Sequence, residues 1–115
     1  MLDDVSIGAL HSALNGLATR QRAISDDIAN VNTPYFTARS VSFEGQLKSA
    51  LADGSDLSSV TPTTQLSTAA PGLTGNNVNL AQETVDAVNT QLSYELGLRA
   101  IGDRFSLLRT AVKGG

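Results

Sequence analysis

The sequence has no cysteine, no tryptophan and a single histidine, and aromatic residues make up only 4% of the chain. Without cysteine there is no disulfide, no thiol nucleophile and no thiolate-ligated zinc. One imidazole cannot build a histidine metal site by itself. Serines are plentiful, but none has a plausible base and orienting acid, and no glycine-rich stretch has the spacing and lysine of a phosphate loop. We therefore predict no catalytic residue, no cofactor and no metal, and an enzyme is the least favoured class.

Basic residues are also scarce, with 8 against 11 acidic ones and a net charge of −3. The arginines are spread along the chain, which argues against nucleic acid or an anionic membrane as the main partner. No apolar run approaches the roughly 18 residues of a membrane span. Asp3 and Asp4 stand where a signal peptide would have its basic region. The chain is expected to be cytosolic, or to be exported without a cleaved signal.

An apolar series with helical spacing dominates the first third of the chain. Its members recur at alternating steps of three and four residues, and only Gln21 interrupts them. Such a narrow stripe is typical of helix-to-helix packing. Pro34 should end the helix near Asn32, because it disfavours helical angles at the residue before it. The residues of this first seam are Ile7, Leu10, Leu14, Leu17, Ile24, Ile28 and Val31, and His11 is expected to flank it.

A second long helix is predicted from Leu80 to about Val112. Asn79 can cap its start, and Gln82 three residues later resembles a capping box. Its mainly apolar series has the same steps of three and four residues, and it also includes Thr84, Ala87 and Gln91. The apolar residues of this second seam are Leu80, Tyr94, Leu98, Ile101, Phe105, Leu108 and Val112.

The N-terminal half of the second helix is apolar on a second face as well. Val85, Val88, Leu92 and Leu96 fall roughly opposite the seam at 100° per residue. A helix that is apolar on two sides requires two neighbours, and this chain has only one other long helix. Either the middle of the chain folds back to cover this second face, or the face is an assembly surface.

Between the helices the pattern weakens. Residues 37–43 are readable as a short extended segment, and Phe43, Leu47 and Leu51 suggest one or two turns of helix. Residues 52–77 are dominated by small and polar residues and predict a mobile or partner-ordered loop. The predicted fold is mainly α, with two long terminal helices in an antiparallel, coiled-coil-like hairpin and an irregular middle. The segments 1–36, 37–78 and 79–115 would together form one assembly domain.

Motifs at both ends resemble the flagellar basal-body rod family, in the version of a proximal rod protein. The N-terminal match covers Ala9–Leu14, Arg20–Arg22 and Ile28–Pro34, and the C-terminal match covers Gly75–Leu80 and Phe105–Val112. Two residues depart from the family pattern. Tyr35 replaces a glycine in the turn, and Asp27 replaces a common asparagine beside Asp26, a pair expected to be solvated or to lie between subunits. The rod motif turn comprises Ala29, Asn30, Asn32, Thr33, Pro34 and Phe36.

The resemblance implies a structural subunit of the proximal rod, the shaft that crosses the periplasm in the flagellar basal body. Such subunits are exported unfolded by the flagellar type III apparatus, and their terminal helices pack into coiled-coil layers. The implied partners are copies of the chain, other rod proteins, the membrane-ring adaptor protein and the export gate. Nucleic acid and direct bilayer insertion are not expected.

Early export substrates also carry a Phe-x-x-x-aliphatic signal that the gate reads. Phe43 and Leu47 match this pattern, although a short helix docking both side chains onto the subunit would explain them too. Two alternative functions stay open. The chain could be another rod or hook-family axial subunit, or a soluble helical-hairpin adaptor that never polymerises.

Overall fold

Two long antiparallel helices pack against each other, and the segment that connects them in the chain packs on the first helix. The computed structural model describes residues 2–114. In chain order these form α1 (Leu2–Ala29), β1 (Arg39–Ser42), α2 (Glu44–Asp53), a 3-10 turn (Leu57–Ser59), β2 (Thr63–Leu66) and α3 (Leu80–Gly114). The molecule measures 65 × 26 × 14 Å. This confirms the predicted helical hairpin with an irregular middle.

Helix α1 ends at Ala29, slightly before the predicted position near Asn32. Hydrogen bonds of Asn30 end the helix. The backbone N–H of Asn30 is shared between the carbonyls of Asp26 and Asp27, both at 3.1 Å, and the Asn30 side chain also donates to the Asp26 carbonyl at 2.8 Å. A side chain that bonds back to the last turn satisfies a carbonyl which the helix leaves free.

Helix α3 begins where its cap predicts. The Asn79 side-chain oxygen accepts a hydrogen bond from the Gln82 N–H at 3.1 Å, which confirms the N-cap. The capping box is incomplete, because the Gln82 amide donates to Asp86 at 3.0 Å instead of returning to the Asn79 N–H. The helix runs 35 residues, ending close to the predicted Val112.

The prediction of a mobile or partner-ordered loop over residues 52–77 is wrong in part, because the segment contains regular structure within the subunit. β2 pairs antiparallel with β1, with Arg39 opposite Leu66. Asp56 caps the 3-10 turn by accepting from the Ser58 N–H at 2.9 Å. All four side chains of β2 are exposed, so the strand has no apolar alternation to reveal it in the sequence.

The core lies between α1 and the middle segment. Its buried apolar residues are Leu14, Ile24, Ala38, Val41, Phe43, Ala50 and Val60. None of them belongs to α3. The middle segment packs on α1 and leaves the second face of α3 uncovered, so the alternative in which it folds back over that face is wrong.

Candidate assembly surfaces

The contact between α1 and α3 is made largely by small and polar residues of α3. Thr90 is 5% exposed, and Glu83 is half-buried in the same row. Gly97 lets the two backbones approach, since a Cβ there would lie 2.8 Å from the Leu14 Cδ2 atom. By contrast, every apolar residue of the predicted first seam is buried or half-buried. Val31 is in the turn after α1, because the helix already ends at Ala29, so its prediction as a helix residue is wrong. The first seam therefore faces inward along its whole length.

The second seam is divided. Tyr94 and Ile101 are half-buried on the side of α3 that faces α1. Its other apolar members are exposed, namely Leu80, Leu98, Phe105, Leu108 and Val112. The row of α3 that touches α1 lies about one residue away from the predicted row, because threonine and glycine occupy the contact positions.

The second face of α3 is open to solvent. Val85, Val88, Leu92 and Leu96 are 53–62% exposed. These four residues share one side of the helix, opposite the row that contacts α1. A contiguous exposed apolar stripe on a helix is a mark of an interaction surface.

The rod motif turn is held by two asparagines that precede α3. The Asn76 amide donates to the carbonyls of Asn30 and Thr33 at 2.9 and 2.8 Å, and its oxygen accepts from the Val78 N–H at 2.7 Å. Asn77 accepts from the Ala38 N–H at 2.7 Å. We call Asn76 and Asn77 the asparagine clasp. It joins the end of α1 to the start of α3, which fixes the closed end of the hairpin.

Within this turn, Tyr35 adopts a left-handed conformation that favours glycine, with φ of 61°. Its N–H donates to the Thr74 carbonyl at 3.0 Å. The ring lies against Gly75, where a Cβ would be 2.5 Å from the tyrosine Cδ1. Gly75 itself has φ of 80°. The turn thus holds Tyr35 in a strained conformation, and Gly75 leaves room for its ring.

Asp27 corrects the prediction of a solvated acidic pair. Its side chain is fully buried, and its two oxygens accept from the Arg39 backbone N–H at 3.1 and 3.2 Å. Glu83 of α3 is within hydrogen-bonding reach. Desolvation, the contact with Asp27 and the charge of Asp86 raise the pKa of Glu83 to about 7. The neighbouring carboxyl group of Asp27 therefore favours the protonated form of Glu83. Asp26 remains exposed, as predicted.

Phe43 is docked inside the subunit. It is 3% exposed, and its ring occupies the space where a Cβ of Gly16 would otherwise be. The Arg20 guanidinium lies over the ring at 5.0 Å and pairs with both Glu44 oxygens at 2.7 and 2.8 Å. This pairing lowers the pKa of Glu44 to about 2. Leu47 is half-buried one turn into α2. The structure therefore contains the arrangement in which a short helix docks Phe43 and Leu47 onto the subunit.

The remaining elements of the rod motif turn are placed on its surface or edge. Ala29 is the last residue of α1, and the Thr33 hydroxyl donates to the Asn30 side chain at 3.0 Å. Asn32 and Pro34 are exposed, and Phe36 is half-buried. The turn therefore presents both polar residues and the Tyr35 ring outward at the closed end of the hairpin.

Comparison with known proteins decides the family. A flagellar basal body rod protein FlgB from Cereibacter sphaeroides is 30% identical over 94% of this chain and 94% of its own length. The chain belongs to the FlgB family of flagellar basal body rod proteins. FlgB of Escherichia coli strain K12 is 28% identical over 100% of this chain, and FlgB of Bacillus subtilis strain 168 is 27% identical over 96%. No family model matches the chain.

Three residues have packing or hydrogen-bonding roles in the structure that the sequence analysis did not predict. Gly16, Arg20 and Asn76 organise the docking of Phe43 and the closed end of the hairpin. Arg20 and Asn76 lie within the motifs quoted above, whereas Gly16 lies outside them. In the described range 2–114, no helix has both the length and the apolar character needed to cross a bilayer.

Proposed function

We propose that this chain is a structural subunit of the proximal rod of the bacterial flagellum, which polymerises through its terminal helices. The open second face of α3 carries the proposal. A 35-residue helix with apolar residues left exposed on one side is suited to an assembly in which other copies cover them. Membership of the FlgB family supports this role.

The small core supports it too. Among residues 4–113, whose burial the structure describes, only seven apolar residues are buried, and α3 contributes none. A domain with so little buried apolar area is marginally stable alone, because each buried side chain contributes only about 1.5–3 kcal/mol. Burial against neighbouring subunits would supply the missing stabilisation. We place these subunits in the periplasmic part of the basal body, in contact with other rod proteins, the membrane-ring adaptor protein and the export gate.

Export by the flagellar type III apparatus is the second part of the proposal. Phe43 and Leu47 form the gate signal, and Phe43 is inaccessible in the folded subunit. The gate would therefore read the signal on the unfolded chain, and folding would dock the same side chain onto Gly16 after export. One segment thus has two successive uses.

Assembly is tested by replacing Leu92 in the native bacterium. Leu92→Asp places a charge in the second face without touching the core, so we expect export to persist and swimming to be lost. Ser93→Asp is the matched control, because it adds the same charge at the adjacent exposed position. Normal swimming of Leu92→Asp cells, or of cells lacking the chain altogether, would contradict the assembly role.

Export is tested by separating the signal from its docking site. Phe43→Ala removes the signal and should reduce the amount of exported chain. Gly16→Leu disturbs docking but leaves the signal intact, so export should continue while assembly suffers. Equal export of all three chains, measured by immunoblot of cell fractions, would show that Phe43 is only a core residue.

A further inference from the structure

A pair of carboxyl groups joins the two long helices near the closed end of the hairpin. Asp27 of α1 is fully buried, and it accepts from the backbone N–H of Arg39. Glu83 of α3 reaches Asp27 from the facing helix and is half-buried. While Glu83 is protonated, its hydroxyl can donate to the Asp27 carboxylate, so the contact is attractive in that state. We call the contact between Asp27 and Glu83 the carboxyl latch.

The basic groups near the carboxyl latch are directed to other carboxylates. A cleft of about 760 Å³ opens beside it, with α1 at the base and the two strands opposite α3. Arg20 of α1 pairs with Glu44, and the Arg39 guanidinium of β1 lies 3.9 Å from Asp26 of α1. Asp86 of α3 adds a negative charge. The attraction across the latch therefore depends on its proton. The charged residues that line the cleft are Arg20, Arg39, Glu83 and Asp86.

The N-terminal half of α3 has few other contacts to hold it on α1. Among the residues of α3 whose burial is described, only Thr90 is buried. Residues 78–79 connect the asparagine clasp to the helix and lie outside regular structure. The first turns of α3 can therefore move away from α1 about a pivot near Thr90 while the clasp stays in place. The large apolar residues of these turns are all about half exposed or more, namely Leu80, Val85 and Val88.

We propose that the carboxyl latch is a proton-dependent switch, which holds the N-terminal half of α3 on α1 while Glu83 is protonated and releases it when Glu83 ionises. Ionisation places two negative charges in contact, one of them fully buried, and this arrangement is unfavourable. Glu83 borders the cleft, so a movement of α3 carries its carboxylate into water. The same half of α3 bears Val85 and Val88 of the second face, so the position of that face relative to α1 changes with protonation. The switch belongs to the folded chain and does not depend on the rod role.

The pH dependence follows from where the proton is bound. The closed contact raises the pKa of Glu83 from 4.5 to about 7, chiefly by desolvation and then by the contact with Asp27. The closed form thus binds a proton that the released form loses. Closure is complete below the ordinary pKa of Glu83 and is lost as the pH rises through about 7.

Distances between paired spin labels measure the opening directly, and the absence of native cysteine lets labels be placed at chosen sites. Ser25→Cys with Ala81→Cys labels exposed positions of α1 and α3 on either side of the latch. Asn15→Cys with Ser93→Cys is the matched control farther along the hairpin. Double electron–electron resonance is recorded on the full chain at pH 5 and pH 8. We expect the first pair to show one narrow distance at pH 5 and an additional distance, several ångströms longer, at pH 8, with the control pair unchanged.

Glu83→Gln separates the latch from other effects of pH. Its amide donates to Asp27 without a titratable proton, so the first pair of labels should keep the short distance at both pH values. Glu95→Gln, at an exposed carboxylate of the same helix, should open as the unmodified chain does.

Each other outcome overturns the proposal. A single short distance at both pH values would show that Glu83 turns into the cleft while the helices stay together. Equal lengthening of both label pairs at pH 8 would show general unfolding instead of local release. Lengthening that persists in Glu83→Gln would place the titrating group elsewhere. Broad distances for both pairs already at pH 5 would show that no closed hairpin forms. None of these results bears on whether the chain assembles into a rod.

Discussion

The buried carboxyl pair should make the stability of this chain depend on pH near neutrality. Glu83 reaches Asp27 from the facing helix, and its pKa is raised from 4.5 to about 7. The folded chain therefore keeps a proton that the unfolded chain releases. Since the folded state binds more protons between these two pKa values, the free energy of unfolding falls as pH rises through this window. Glu83→Gln removes the titration and leaves an amide that can donate to Asp27.

The size of the effect follows from the two pKa values. Fully expressed, a rise from 4.5 to about 7 would correspond to ~3.4 kcal/mol. Water reaches part of the Glu83 side chain, so solvent screening reduces this, and we expect about 1–2 kcal/mol. At pH 5 the two proteins should have nearly equal stability. At pH 8 Glu83→Gln should be the more stable by this amount.

Urea unfolding followed by circular dichroism at pH 5 and pH 8 measures the difference directly. If the isolated chain is only partly helical, its helical fraction at the same two pH values gives the same comparison. Glu95→Gln is the control, because Glu95 is an exposed carboxylate of the same helix. A wild-type stability that is flat between pH 5 and pH 8, or a Glu83→Gln protein less stable at pH 8, would refute the raised pKa of Glu83.

Three further predictions, the first with a control variant, test the closed end and the docked ring by the same unfolding measurement. The methyl group of Gly16→Ala would overlap the buried Phe43 ring, so we expect the free energy of unfolding to fall by about 1–3 kcal/mol. In the control Gly45→Ala the methyl group meets open space, and this variant should be neutral or stabilising. Equal effects of the two substitutions would disprove the docking of Phe43 onto Gly16. Asn76→Ala leaves two carbonyls and one N–H without their hydrogen-bond partner, so we expect the free energy of unfolding to fall by about 2–3 kcal/mol. A smaller decrease would show that the asparagine clasp is not a main support of the closed end. Tyr35→Gly relieves the positive φ and should raise stability by up to about 1 kcal/mol, and a clear loss would show that the ring contact outweighs the strain.

The helices were predictable because their signals are local. Steps of three and four residues, the Asn79 cap and Pro34 located both long helices to within a few residues. These features act on the chain itself and do not depend on distant partners. The burial of Asp27 was not predictable in this way. Its partners are a backbone N–H twelve residues away and a carboxyl group on the other helix, and neither leaves a pattern beside it in the sequence.

The row of α3 that contacts α1 was not predicted correctly from the sequence, for a different reason. Hydrophobic spacing identifies the apolar row of a helix, but close packing of two backbones needs small residues such as Gly97 and Thr90. In most globular helices the two rows coincide, since only one neighbour has to be satisfied. In α3 they coincide only in part, since Tyr94 and Ile101 face α1 while most of the other large apolar residues are left outside. Exposed apolar residues of this kind are typical of a surface that contacts other chains. The separation of these two rows, more than the apolar content of the helix, is therefore the feature of this fold that argues for assembly.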